Sequence, residues 1–147
     1  MHKLAALQIG SAKDGTKATV HKILDYKEAI SKTECDLLVM PEALLGGYPK
    51  GETFGTKVGY RTDEGRKSFR KYWQQAVDLD GPELEKIAKL AKECKTAIVI
   101  GVIERGGSTL YCTALFISAE GKIVGKHRKL MPTASERLIW GQGDGST

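Results

Sequence analysis

Short unbroken apolar runs alternate along this chain with longer stretches in which apolar residues recur at three- and four-residue spacing. That is the order expected of a layered α/β protein. Leu4-Ala5-Ala6-Leu7-Gln8-Ile9, closed by Gly10, reads as a buried strand. Residues 14–32 read as one helix, with Val20, Ile23, Leu24 and Ile30 at helical spacing. Leu37-Leu38-Val39-Met40, ended by Pro41, has the pattern of a strand buried on both faces. A loop rich in Gly and Pro follows. Over residues 62–77, Phe69, Tyr72, Trp73 and Ala76 fall on one helical face, an aromatic stripe that should pack on the core rather than hold a cofactor.

A second helix begins after Asp80-Gly81-Pro82. Proline suits a first helical turn, Glu83 and Glu85 favour the N-terminal end of the dipole, and Lys92 and Lys95 favour the other. Its inward face is expected to be Leu84, Ile87, Ala88 and Ala91. Residues 97–103 and 110–117 read as two strands joined as a hairpin through Gly106-Gly107-Ser108, and Ile123-Val124 as a short fifth strand. No internal repeat or low-complexity linker interrupts this order, so one domain over residues 1–147 is the economical reading.

Composition narrows the class. A chain of 147 residues suits a single domain, and 41% hydrophobic with 28% charged residues is a globular balance. No run approaches the roughly 20 apolar residues of a membrane span. Met1-His2-Lys3-Leu4 leads straight into an apolar run and does not resemble a signal peptide, so a cytoplasmic protein without membrane partners is expected. Cys35, Cys94 and Cys112 form neither a disulfide framework nor a zinc motif, which fits a reducing compartment. The net charge of +5 is spread along the chain and accompanied by no nucleic-acid-binding motif, so no nucleic-acid partner is expected.

Two positions stand out chemically. Glu42 follows a strand and a proline, where the chain leaves the sheet and a side chain can reach a cleft; a carboxylate there can act as a general base, or simply cap or pair with nearby groups. Lys126-His127-Arg128-Lys129-Leu130-Met131-Pro132-Thr133 places four basic residues immediately after a strand. Taken alone this is a solvated basic edge or a phosphate-binding patch. Gly141-x-Gly143-x-Gly145 has glycine spacing like that of a nucleotide-binding loop, but no helix or acidic contact follows it.

Together these segments resemble the nitrilase superfamily of carbon–nitrogen hydrolases. The run from Leu37 through Pro41-Glu42 to Gly47-Tyr48-Pro49 is similar to its first signature, and Lys126 through Thr133 is similar to its second. The segment from Ser135 to Ser146 is similar to the stretch that marks the nitrile-hydrolysing branch. The resemblance implies that Glu42 is the proton acceptor, that Lys129 stabilises negative charge on the substrate nitrogen, and that Glu136 is a second active-site carboxylate. Tyr48 becomes a pocket-lining candidate, although packing against Pro49 would also explain it. Glu42 and Lys129 lie 87 residues apart, so only the fold can join them.

In that family a cysteine thiolate attacks the nitrile carbon, giving a thioimidate. Water then releases ammonia to leave a thioester, and a second hydrolysis yields the acid. The family's cysteine lies a few dozen residues beyond the lysine, whereas 18 residues follow Lys129 here, so the nucleophile is expected outside this chain. Cys35, Cys94 and Cys112 lack its context and occupy ordinary places for buried thiols.

The family fold is an αββα four-layer sandwich, of which these residues would supply the first half, truncated, with an exposed sheet edge and an open apolar face. The resemblance implies no metal or organic cofactor, a small-molecule nitrile substrate, and association as a homo-oligomer or with a complementary C-terminal chain. Two readings stay open: part of an active nitrilase, or a non-catalytic remnant that pairs with a longer relative.

Overall fold

The computed structural model describes residues 1–146. Five strands form one mixed sheet in the order β1 (Leu4–Ala6), β2 (Leu37–Val39), β3 (Ala97–Gly106), β4 (Thr109–Ile117) and β5 (Ile123–Arg128). The first three run parallel, and β3, β4 and β5 are antiparallel neighbours. Four helices join them: α1 (Thr16–Leu24), α2 (Lys27–Thr33), α3 (Asp63–Gln75) and α4 (Pro82–Cys94), with a 3-10 turn at Ala134–Leu138.

The helix expected over residues 14–32 is two helices. Its hydrogen bonds tighten at the end of α1, where the amide of Tyr26 reaches Ile23 instead of the fourth residue back, and α2 starts from the carbonyl of Tyr26. Asp25, a weak helix former, sits at this joint. The bend lets Ile23 and Ile30 both reach the core. α3 begins where Thr62 caps the amide of Gly65. α4 has Pro82 in its first turn, and its buried face is Leu84, Ile87, Leu90 and Ala91; Ala88, expected inside, is only partly covered. Burial of each of the three large side chains stabilises the helix–sheet contact by about 1.5–3 kcal/mol.

α1, α2 and α4 cover one face of the sheet, where Leu38, Ile98, Ile100, Val102, Leu115 and Ile117 form the main core. On the other face, α3 and Trp140 enclose only the hairpin end, packing Phe69, Tyr72 and Trp73 around Ile103, Leu110 and Cys112. The rest of that face is open: Leu4 is 68%, Val39 41% and Phe116 38% exposed. The segments expected to be buried strands at residues 4–9 and 37–40 therefore differ from expectation. The first is a three-residue edge strand whose alternate residues Ala5, Leu7 and Ile9 meet the core, and the second is covered on one side alone. A run of consecutive apolar residues makes both faces of a strand apolar; whether both are covered depends on what else packs there.

The hairpin forms as expected, with β3 running three residues longer and Gly107 in the left-handed region of the turn. β5 also exceeds the two residues expected of it and takes in most of the basic run. Ile117 pairs with Ile123 but Phe116 pairs with Gly125, so Val124 is an extra residue, a β-bulge. Beyond it the side chains alternate strictly. Lys126 and Arg128 point to the helix side, and His127 and Lys129 to the other.

Candidate active site

The basic run is thus neither a solvated edge nor a phosphate patch. On the helix side, Lys126 Nζ donates to Glu104 at 2.8 Å, and Arg128 donates to both Glu104 oxygens at 2.8 and 2.6 Å. The hydroxyl of Thr113 adds a third donor to a carboxylate that is almost wholly buried. Burial opposes ionisation of Glu104, but these donors outweigh it and hold the carboxyl down at about 2. Arg128 also lies 3.8 Å from the Tyr111 ring centroid. Lys126 and Arg128 therefore fasten β5 from behind, and Lys129 is left for the opposite side.

Glu42 is set in place by the irregular continuation of β2 along β3. The amide of Gly101 bonds to the carbonyl of Pro41, and Leu45 resumes pairing with Gly101 and Ile103, so Glu42, Ala43 and Leu44 loop outward between them. A side chain at Gly101 would lie 2.4 Å from the Pro41 carbonyl and 2.5 Å from Glu42 Cα, so glycine is required for this approach. Ala43 takes a left-handed φ of 52°, which completes the loop and leaves the Glu42 side chain about half exposed.

The fold brings the three expected residues together. Lys129 Nζ donates to Glu42 Oε1 at 2.9 Å and to Glu136 Oε2 at 3.0 Å. The Lys129 backbone is pinned on both sides, its amide on the Cys112 carbonyl and its carbonyl on the amide of Gly143. A Cβ at Gly143 would meet the Arg128 carbonyl at 2.3 Å, so this glycine serves close backbone packing and not a nucleotide loop. Desolvation works against the Lys129 charge, but the two carboxylates outweigh it and hold the ammonium above its ordinary pKa. One ammonium between two carboxylates leaves the cluster with a net negative charge.

Glu136 is buried and fully engaged. Its Oε2 also accepts the Thr133 amide at 2.6 Å, and its Oε1 accepts the Tyr48 hydroxyl at 2.8 Å. Burial is again overcome, first by the Thr133 amide and then by Tyr48 and Lys129, and Glu136 ionises below its ordinary value. Tyr48 does more than pack on Pro49: its ring is edge-on to Trp140, with centroids 5.8 Å apart, and its hydrogen bond to Glu136 raises its own pKa.

Four participants escaped the sequence. Trp140 is buried beside Lys129, and its indole N–H donates to the Tyr72 hydroxyl, which in turn donates to the Gly47 carbonyl next to Tyr48. Gly101 shapes the loop of Glu42. Cys112 places its thiol 3.4 Å from Glu42 Oε1. The two-residue hairpin turn fixes Cys112 opposite Ile103 and was the one legible hint to its face; its proximity to Glu42 depends on the path of β2. Of the other cysteines, Cys35 is buried and Cys94 partly so, both away from this cluster.

Two clefts flank the network. One, of about 500 Å3, is lined by Met40, Glu42, Val99, Cys112, His127 and Lys129. The other, of about 600 Å3, is lined by Tyr48, Phe54, Ser135, Glu136, Leu138 and Ile139. Apolar walls with a few convergent polar groups are the usual make-up of a small-molecule site. Among the described residues no helix is long and apolar enough to cross a membrane.

The sequence model of the carbon-nitrogen hydrolase family matches residues 3–147. The chain belongs to that family. Within it, the chain is 51% identical over 146 residues to a nitrilase from Bradyrhizobium diazoefficiens, covering 99% of this chain and 46% of that protein. It is 50% identical over 141 residues to nitrilase 2 of Arabidopsis thaliana, covering 96% and 42% respectively. It is also 52% identical over 132 residues to a bifunctional nitrilase/nitrile hydratase of Lupinus angustifolius, covering 90% and 38%. The chain spans less than half the length of these curated relatives.

Solved structures show the same fold at low identity. An N-terminal amidase superposes with a TM-score of 0.70 at 19% identity, over 96% of this chain and 30% of the amidase. A CN-hydrolase superfamily protein from Xanthomonas campestris, with an arsenic adduct in its active site, superposes with a TM-score of 0.69 at 18% identity, over 97% and 46%.

Proposed function

We propose that these residues are the acid–base and electrostatic part of a nitrilase that hydrolyses organic nitriles to carboxylic acid and ammonia, and that its nucleophilic cysteine lies outside them. The observation that carries this reading is the Lys129 ammonium held at 2.9 and 3.0 Å from Glu42 and Glu136. Glu42, half exposed at the cleft, accepts the proton of the incoming thiol. The thiolate bonds to the nitrile carbon, and the negative charge that builds on nitrogen meets Lys129, which supplies a fixed cation and needs no reorganisation. Glu136 is locked by three donors and holds Lys129 in place. The roughly 50% identity to nitrilases favours nitriles over amides as substrates.

None of the cysteines present serves as nucleophile. Burial, followed by the neighbouring Glu42 charge, pushes the Cys112 thiol up to about 12, which keeps it protonated. The open apolar face of the sheet is where the second sheet of the four-layer sandwich would pack, as part of the same protein or of a complementary chain. Soluble activity in the cytoplasm, as an oligomer, completes the proposal.

The test is a graft. Residues 1–146 replace the matched segment of the Bradyrhizobium nitrilase, and ammonia, acid and amide are followed with aliphatic and aromatic nitriles. The expected result is ammonia and acid release that Glu42→Gln and Lys129→Met each lower by at least about 100-fold. A folded chimera that releases no ammonia would support a non-catalytic remnant, and full activity in Glu42→Gln would overturn the assignment of the base.

A further inference from the structure

The position of Cys112 gives it a use other than attack. Glu42 Oε1 accepts two hydrogen bonds, from Lys129 Nζ at 2.9 Å and from Cys112 Sγ at 3.4 Å, within the range expected of a thiol donor. Among the described residues no donor reaches the other oxygen, Oε2. The Glu42 side chain is 53% exposed, so without a second constraint its carboxylate would turn freely about its terminal bond, which has a broad, roughly two-fold profile. Cys112 itself is 5% exposed, on the strand position whose carbonyl also accepts the Lys129 amide, so its backbone is tied to that of Lys129 and its thiol is enclosed beside Glu42.

We propose that Cys112 is a positioning residue: its thiol and the Lys129 ammonium together hold Glu42 Oε1, so that Oε2 is the oxygen turned to the cleft and offered to the proton of the nucleophile. This rests on the reading of Glu42 as the proton acceptor and specifies which of its two oxygens acts. A thiol suits the task. It donates one hydrogen bond and, being a weak donor, fixes the carboxylate without drawing off much of its basicity. It stays protonated because burial and the adjacent carboxylate both disfavour the thiolate. A hydroxyl or ammonium at the same place would donate more strongly and lower the affinity of Glu42 for a proton.

Infrared spectroscopy of the nitrilase chimera tests the contact directly, because the S–H stretch is a local signature of a thiol's acceptor. The difference between wild type and Cys112→Ala isolates the Cys112 band. It should lie at lower frequency than that of a thiol without an acceptor, and Glu42→Gln should move it upward. In parallel, the side-chain carboxyl carbon resonance of Glu42 should shift in Cys112→Ala and return towards its wild-type position in Cys112→Ser. A band indifferent to Glu42→Gln, or a Glu42 resonance unmoved by Cys112→Ala, overturns the proposal.

In the nitrilase chimera, Cys112→Ala should lower kcat about threefold to tenfold with KM little changed, the size expected for one lost orienting hydrogen bond. Undiminished kcat would likewise overturn the positioning role. The two readings fail separately: a Glu42→Gln chimera that retains full activity removes the base and leaves the infrared result standing, whereas an unshifted S–H band removes the positioning role and leaves the base.

Discussion

Replacing Glu104 by Gln should loosen β5 from the helix side and with it the placement of Lys129. The carboxyl of Glu104 is held at about 2 against an ordinary 4.5, by donors from Arg128, Lys126 and Thr113 that overcome its burial. At 1.36 kcal/mol per unit, that depression is a contribution of about 3 kcal/mol to stability near neutral pH. Because the folded-state value is the lower one, this stability is fully present above about 4.5 and is lost as pH falls towards about 2. Glu104→Gln removes it and also leaves Lys126 and Arg128 without a counter-charge. Their side chains are 30% and 20% exposed, so water relieves part of that cost.

The net expectation is a loss of about 2–4 kcal/mol at pH 7. Urea unfolding of wild type and variant, followed by circular dichroism at several pH values, measures it. The gap between the two should close as pH is lowered from about 4.5 to about 2. A loss below about 1 kcal/mol, or a gap that does not change with pH, would refute the idea that Glu104 anchors the strand through its charge.

Lys129→Met in the chimera should lower kcat by at least about 100-fold, the scale of losing one charge-stabilising donor, and initial-rate kinetics will show it. The Tyr48 phenol should titrate above its ordinary value in ultraviolet difference spectra, because its hydrogen bond to Glu136 favours the protonated form; Glu136→Gln should bring it back down. Gly101→Ala puts a methyl against the Pro41 carbonyl and Glu42 Cα, and should destabilise the fold by about 1–3 kcal/mol in denaturant unfolding while reducing activity beyond that loss.

The ordered motifs made Glu42, Lys129 and Glu136 legible, and the structure joins them. The hairpin and α4 were legible too, because proline, glycine and short-range periodicity act locally. What escaped depends on pairing between distant segments. Cys112 looked like any strand cysteine until β2 was seen to loop over Gly101. Lys126 and Arg128 looked equivalent to Lys129 because a run of charges carries no mark of which face each member takes. Glu104 carried no signal in the sequence, and only the register of β5 supplies its partners. The joint at Asp25–Tyr26 has no glycine or proline to announce it. Leu4 and Val39 were expected inside because their apolar runs do not report which layers cover them.

The extra residue at Val124 has a consequence for how this sequence can drift. Were Val124 taken into the ladder opposite Phe116, with no bulge, Cys112 would face Arg128 in place of Lys129, and every charge of the basic run would exchange sides. A guanidinium would then stand between Glu42 and Glu136, and Lys129 would turn towards the region now held by Glu104. Loss of the bulge with Val124 retained thus acts as a parity error, leaving every residue of the cluster in the chain and presenting the wrong cation, whereas deletion of Val124 itself would straighten the ladder and keep Lys129 opposite Cys112. The bulge sets the parity of the strand that follows it, whereas the length of the loop at residues 49–61 sets no strand register.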